Sequence, residues 1–356
     1  MADTKNPTTA GAARLSVRDE TKPVILIAAV VVGIILNRLL GTGASGLIGV
    51  AQIGVFFVIF AVMLPVEIKD VSRALRKVKP TAIALAINFV FIPVFIWAAG
   101  WLFLRPFPDV WAGVILYALT PCIGWYLIFT DLAEGDVAWG MALLPWNITL
   151  QIVLLPLYLW FLVGKVLPLD LSALATSIVL YLLAPFALAY VVQHLVIARR
   201  GRDYFFGPVK HTLGEVKLWA LVLVILAMFA SQSSLGIGDL GMIALIIGVL
   251  VLFFVVLFAL ALVIGKLAHL PYAENVTLAF TTTARNSEAV IGVAVSAFPG
   301  HPLVYFAIIL GPIVELPMLL VISRVLLGLR DRLWASPPSA PRVGPQPGTT
   351  PVGRSP

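Results

Sequence analysis

The sequence predicts an all-α integral membrane protein with ten transmembrane helices, arranged as two five-helix halves of opposite orientation and interrupted in the fourth and ninth helices. Three observations carry this: ten apolar runs near the length a bilayer requires, a one-sided distribution of Lys and Arg between them, and polar interruptions at corresponding places in the two halves.

Composition sets the class. Of 356 residues, 61% are hydrophobic and 12% charged, the latter about half the share usual in soluble domains. Mean hydropathy is +1.04 and the pI about 9.6. The basic residues sit between apolar runs, as in the inner loops of membrane proteins. They do not form a nucleic-acid-binding patch. The polar segment 1–22 is too long and too mixed in charge for a signal-peptide n-region, so the apolar run after it reads as a retained span. The single cysteine, Cys122, excludes an intrachain disulfide.

The runs lie near 24–40, 47–66, 81–104, 110–130, 138–164, 172–197, 217–235, 241–265, 273–298 and 302–326. They divide the chain into a cytoplasmic N-terminus (1–22), a transporter domain (23–330, with repeats of about 23–165 and 170–330) and a Pro-rich tail (336–356) expected to be disordered. With the N-terminus in the cytoplasm, 20 of the 24 Lys and Arg fall inside, three (Arg38, Arg105, Lys165) fall outside, and Arg285 lies within a span. The protein is therefore expected in the cell membrane, with both termini on the cytoplasmic side.

An odd number of spans per half makes the second half insert upside down. Carriers built this way hold substrate near the midplane, on interrupted helices. Span four is interrupted by "ALTPCIGWYL" around Pro121, and span nine by "TTTARNSE". The fifth span of each half matches too: "NITLQ" (Asn147, Gln151) against "GPIVE" (Gly311, Glu315), each with a polar group four residues on.

Each polar group has a simpler reading. Arg285 and Glu288 are an i, i+3 pair that on one helix face would partly neutralise each other as a structural ion pair. That leaves Thr281, Thr282, Thr283, Asn286 and Ser287 unexplained; so many hydroxyls and amides suit a hydrated cavity or an unwound helix. Glu315 is either a packing carboxyl paired with Arg285 or a group that exchanges a proton or cation. A carboxyl withdrawn from water is costly as an anion. Pro312 leaves the carbonyl of Ile308 unbonded and Gly311 permits close approach of another helix. Cys122, after Pro121, is an inert small residue or a soft ligand. Asn88, Asn147 and Gln151 read first as interhelical hydrogen-bonding amides. All four histidines lie at span ends or in loops, which argues against an intramembrane enzyme. Nothing calls for a cofactor.

The stretches "PCIGWYLIFTDLAEGD", "TTTARNSEAVIGVAVSAF" and "GPIVELP" resemble the arsenical-resistance permeases of the bile-acid/sodium symporter superfamily, over roughly residues 22–330. The resemblance implies two inverted five-helix repeats in which the broken fourth and ninth helices cross. It also implies proton-driven efflux of arsenite, sometimes antimonite, with Cys122 and Glu315 as the functional pair. Substrate contacts are expected from Cys122, Asn286 and Glu288, with Cys122 touching arsenic(III) transiently. Coupling is expected from Glu315, Glu288 and Arg285, supported by Pro121, Thr283, Ser287, Gln151, Asn147, Gly311 and Pro312. Two positions depart from the family pattern. Pro121 stands where these permeases commonly carry arginine, and Arg285 where they commonly carry the first of two asparagines, so a cation has moved from one broken helix to the other. The alternative in the same superfamily is a sodium-coupled organic-anion symporter, with Asn286, Ser287, Glu288 and the threonines as oxygen ligands for Na⁺.

Overall fold

The computed structural model describes residues 17–40, 47–64, 77–122, 125–167, 172, 176, 179–205, 210–231, 240–298 and 300–334. The expectations for residues 1–16 and for the Pro-rich tail from 336 fall outside these. Among the described residues the elements are helices and there is no strand, only an isolated bridge. Helix α1 is Val17–Leu40 and α2 is Leu47–Met63; α1 thus starts inside the segment expected to be a polar terminus. Helix α3 is Val78–Phe103, α4 Pro108–Ala118, α5 Trp125–Leu132 and α6 Val137–Val163. In the second half, α7 is Ala184–Arg200, α8 Lys210–Ser231, α9 Leu240–Leu267, α10 Tyr272–Thr283, α11 Ser287–Ala297 and α12 Pro302–Leu333. Among the described residues four helices are long and apolar enough to cross a bilayer: α3, α6, α9 and α12 up to Arg330.

Local chemistry explains the ends. Pro108 and Pro302 open α4 and α12, where a missing N–H costs nothing. Asp136 caps α6 by accepting from the Trp139 amide at 2.9 Å. In α3, Pro93 cannot bond the carbonyl of Phe89; a π-helical turn at Ile87–Phe91 absorbs the defect, and the Tyr158 hydroxyl donates to that carbonyl.

Burial follows the broken elements. Every residue of α4 from Val110 and of α10 from Asn275 is buried, whereas α1, α2, α3, α7 and α9 present large apolar side chains outward, the pattern of lipid-facing helices. Helices α1, α2 and α8 pack together, with α7 beside α2. Helix α4 lies directly on α12: a Cβ on Gly113 would sit 2.4 Å from the Val304 carbonyl oxygen and 2.8 Å from Ala307 Cβ. At one end of the molecule the starts of α3, α6 and α10 are tied by Lys77, whose Nζ is 2.6 Å from Asp136 and 2.5 Å from Glu274.

Candidate functional site

The two interruptions meet. Helix α4 stops at Ala118 and α10 at Thr283, and the residues after each run antiparallel: the Cys122 amide donates to the Ala284 carbonyl at 3.1 Å and the Asn286 amide to the Thr120 carbonyl at 2.8 Å. Pro121 and Arg285 are the facing pair between these two bonds. In such a pair neither residue's own N–H is used by the ladder. Proline therefore loses nothing at 121, and the N–H of Arg285 is left to point elsewhere. It donates to Glu315 Oε1 at 3.0 Å. The two positions that depart from the permease pattern thus lie directly opposite each other.

The Arg285 side chain is 2% exposed. Its Nη1 donates to the Ala118 carbonyl at 3.0 Å, Nη2 to Asn88 Oδ1 at 3.0 Å and to the Thr282 carbonyl, and Nε to the Thr283 carbonyl at 3.4 Å. The Phe253 ring lies 5.6 Å from its Cζ. Three of these acceptors are carbonyls at the C-terminal ends of α4 and α10. Each helix end carries about half an elementary negative charge. One guanidinium answers both, which is why a span this apolar contains an arginine.

This corrects the reading of Arg285 and Glu288 as a helical i, i+3 pair: Arg285 stands in the extended break before α11, so the helix-face argument does not apply to it. The Glu288 side chain is outside the described residues. A second correction concerns the threonines. The hydroxyls of Thr282 and Thr283 donate to Leu278 (2.8 Å) and Ala279 (2.8 Å) in their own helix, and what the two residues offer the site is their carbonyls. Pro121 cannot donate to the carbonyl of Tyr117, and the Thr120 hydroxyl serves it instead, lying 3.1 Å from the carbonyl oxygens of both Tyr117 and Asn286.

Glu315, 3% exposed, is held from two sides. Besides the Arg285 amide, its Oε2 accepts from the Tyr117 hydroxyl at 2.6 Å. Tyr117 crosses α12 where Gly311 has no side chain; a Cβ there would be 2.2 Å from the ring. Gly311 thus makes room for a side chain of α4, more specific than the helix approach expected of it. Pro312 lies inside α12 as read. Sequence reasoning missed Tyr117 as a site residue.

The amides behave as interhelical links. Asn88 Nδ2 donates to the Thr281 carbonyl at 3.2 Å and lies 3.4 Å from Asn147 Oδ1, and Asn147 Nδ2 is 3.3 Å from the Thr281 hydroxyl. Gln151 is 2% exposed, and among the described residues its Nε2 has no partner. Ser287 opens α11, half-buried. Cys122 is buried at the bridge, 4% exposed. Among the described residues no three His, Cys, Asp or Glu converge on a metal position.

Residues 52–238 match the model of the Sodium Bile acid symporter family. The Arsenical-resistance protein Acr3 of Corynebacterium glutamicum is 26% identical over 355 residues, covering 94% of this chain and 95% of that protein. An uncharacterized transporter of Synechocystis is 23% identical, covering 83% and 85%. The Arsenical-resistance protein Acr3 of Alkaliphilus metalliredigens is 23% identical, covering 79% and 81%.

Proposed function

The chain belongs to the sodium/bile acid symporter family, and from that premise we propose that it is a secondary transporter extruding arsenite, with antimonite as a related cargo, in exchange for protons. The observation that carries the reading is the crossing itself. Cys122, through its backbone amide, and Glu315, through its buried carboxyl, are both bonded to the same three-residue break, at Ala284 and Arg285, so that a thiol-bearing residue and a carboxyl share one crossing. Similarity to two arsenical-resistance proteins over most of their lengths supports the choice of cargo.

Arsenite at neutral pH is the uncharged trihydroxide. The Cys122 thiol replaces one hydroxyl on arsenic, the S–H proton leaving with it as water, and the reverse step releases the cargo. A single thiol gives a contact weak enough to reverse, whereas three would trap arsenic(III). Glu315 takes up and returns the proton. The ten-span, inverted-repeat arrangement is part of the proposal, with both termini cytoplasmic. It is supported by the packing of α8 against both α1 and α2 and of α7 against α2, which brings spans six and seven against spans one and two.

Proton coupling is favoured over sodium coupling by Arg285. Carbonyls at half-helix C-termini are where a carrier of this design would coordinate Na⁺, and here a guanidinium donates to them. The decisive cell experiment is arsenite accumulation with wild type and Cys122→Ser. Serine matches cysteine in size but is a hard ligand, so the variant is expected at normal abundance with resistance lost. Full efflux by well-expressed Cys122→Ser protein removes the thiol from the mechanism and moves the assignment to an organic-anion carrier.

A further inference from the structure

We propose that Tyr117 is the movable hydrogen-bond partner of Glu315, donating to the carboxylate when the proton is absent and accepting from the carboxylic acid when it is present. This rests on the reading of Glu315 as the coupling carboxyl and adds a positioning residue to it.

The geometry distinguishes the two donors. The Arg285 N–H that meets Oε1 belongs to a backbone pinned on both sides by the bridge bonds at 3.1 and 2.8 Å. It is a donor only and cannot turn away. The Tyr117 hydroxyl meets Oε2 at 2.6 Å, and a phenol both donates and accepts by rotating its O–H. As drawn, each carboxylate oxygen faces a donor, the arrangement of an ionised carboxylate. A proton arriving on Oε2 would confront the phenol proton. Rotation of the Tyr117 O–H resolves the conflict: the new Oε2–H then donates to Tyr117 Oη, and no group moves by more than a hydrogen position. On release of the proton the phenol O–H turns back. The balance is one proton on Glu315 and none gained or lost by Tyr117.

The surroundings are built for this. The ring is fully buried, and the absent side chain of Gly311 lets it cross α12; an added Cβ would lie 2.2, 2.5 and 2.7 Å from Cε2, Cδ2 and Cζ. Tyr117 is in the last turn of α4 and its carbonyl is bonded by Thr120 beside the bridge. The hydroxyl is therefore fixed to the same break whose amide holds the other carboxylate oxygen.

The test uses purified protein in proteoliposomes with Tyr117→Phe, Glu315→Gln and the double variant, arsenite being the transported probe. Phenylalanine keeps the ring over Gly311 and removes only Oη. Proton-driven efflux is expected to fall about tenfold or more in Tyr117→Phe, the scale of a hydrogen bond to a charged group. Downhill arsenite exchange is expected to be the same within about twofold in Glu315→Gln and in the double variant, since a glutamine amide still bonds the hydroxyl but has no proton change for it to follow. In infrared difference spectra, the carboxyl band absent from Glu315→Gln is expected to shift in Tyr117→Phe. Gly311→Ala, which keeps the hydroxyl but displaces the ring, should shift the same band.

Wild-type efflux with an unshifted band in Tyr117→Phe overturns the proposal. So does an equal loss of exchange caused by Tyr117→Phe in the Glu315→Gln background, which would make the role structural. Proton-driven efflux that survives Glu315→Gln overturns the coupling reading itself. Loss in Glu315→Gln with full efflux in Tyr117→Phe overturns Tyr117 alone.

Discussion

Replacing Arg285 by methionine keeps the length of the side chain and deletes every donor. Four acceptors lose a partner: the carbonyls of Ala118, Thr282 and Thr283, and Asn88 Oδ1. The Thr283 contact, at 3.4 Å, contributes little. The other three count at about 1 kcal/mol each, the low end for a buried acceptor left without a donor, because water can enter a polar crossing and Asn88 can turn its amide. The expected loss is about 3 kcal/mol, a fall in apparent melting temperature on the order of 5–10 °C. Arg285→Lys should lie between, since an ammonium keeps the charge but not the planar fork that reaches two helix ends. The informative arm is the cation. With the guanidinium gone, the carbonyls at the ends of α4 and α10 become an empty cation position. Sodium at ten times its Kd would then restore about 1.4 kcal/mol. The assay is thermal unfolding in detergent, in sodium chloride against choline chloride at equal ionic strength. The wild type should not distinguish the two salts, and Arg285→Met should melt higher in sodium. A wild type stabilised by sodium over choline, or a methionine variant that melts with the wild type in choline, refutes the argument that Arg285 fills the cation position.

Two further outcomes follow from residues outside the membrane spans. Burial opposes charge on Lys77 more than any other single effect, yet its hydrogen bonds to Asp136 and Glu274 and their charges leave its pKa above the usual 10.5. Burial likewise pushes Asp136 up, but Lys77 and the α6 amides prevail and hold it below 3.8. A depressed acid stabilises the fold above its unfolded pKa and stops doing so as pH falls through its folded value. A raised base stabilises below its unfolded pKa and stops as pH rises through its folded value. The difference in melting temperature between wild type and Lys77→Met should therefore be constant between pH 3.8 and 10.5 and shrink outside that window. With Lys77 35% exposed, the gap should reflect about 1 kcal/mol or less per pair; a gap that grows in acid contradicts the assignment. Reporter fusions after Arg354 should read cytoplasmic, since that orientation is the one that puts 20 of the 24 basic residues inside, and a periplasmic signal would overturn it.

What the sequence made legible was where the backbone breaks. A cluster such as "TTTARNSE" within a greasy run marks groups that need partners, and the helices do stop there, at Thr283, and at Ala118 ahead of Pro121. Burial of Glu315, Asn147 and Gln151 was legible for the same reason, since polar residues in mid-span face protein. Register was not legible. That Pro121 faces Arg285, and that Tyr117 reaches Glu315 across 198 residues of chain, depends on how two breaks slide past each other. Periodicity carries no information about that. Helical spacing also misled where the helix was absent: Arg285 was read by i, i+3 geometry although it lies in extended backbone. The threonines were read by their hydroxyls, although two of them are bonded within their own helix. Tyr117 gave no signal, because an aromatic residue in an apolar run looks like core until the missing side chain at Gly311 shows where its hydroxyl goes.

The central claim is that the crossing exchanges arsenite for protons through Glu315. The direct measurement is arsenite flux in sodium-free proteoliposomes under an imposed proton gradient, comparing wild type with Glu315→Gln. Glutamine keeps the size of the side chain and removes the titrating group. The account predicts uphill arsenite movement in the wild type, none in Glu315→Gln, and slow downhill exchange retained in both. Uphill movement undiminished in Glu315→Gln, or wild-type movement that appears only when a sodium gradient replaces the proton gradient, would contradict it.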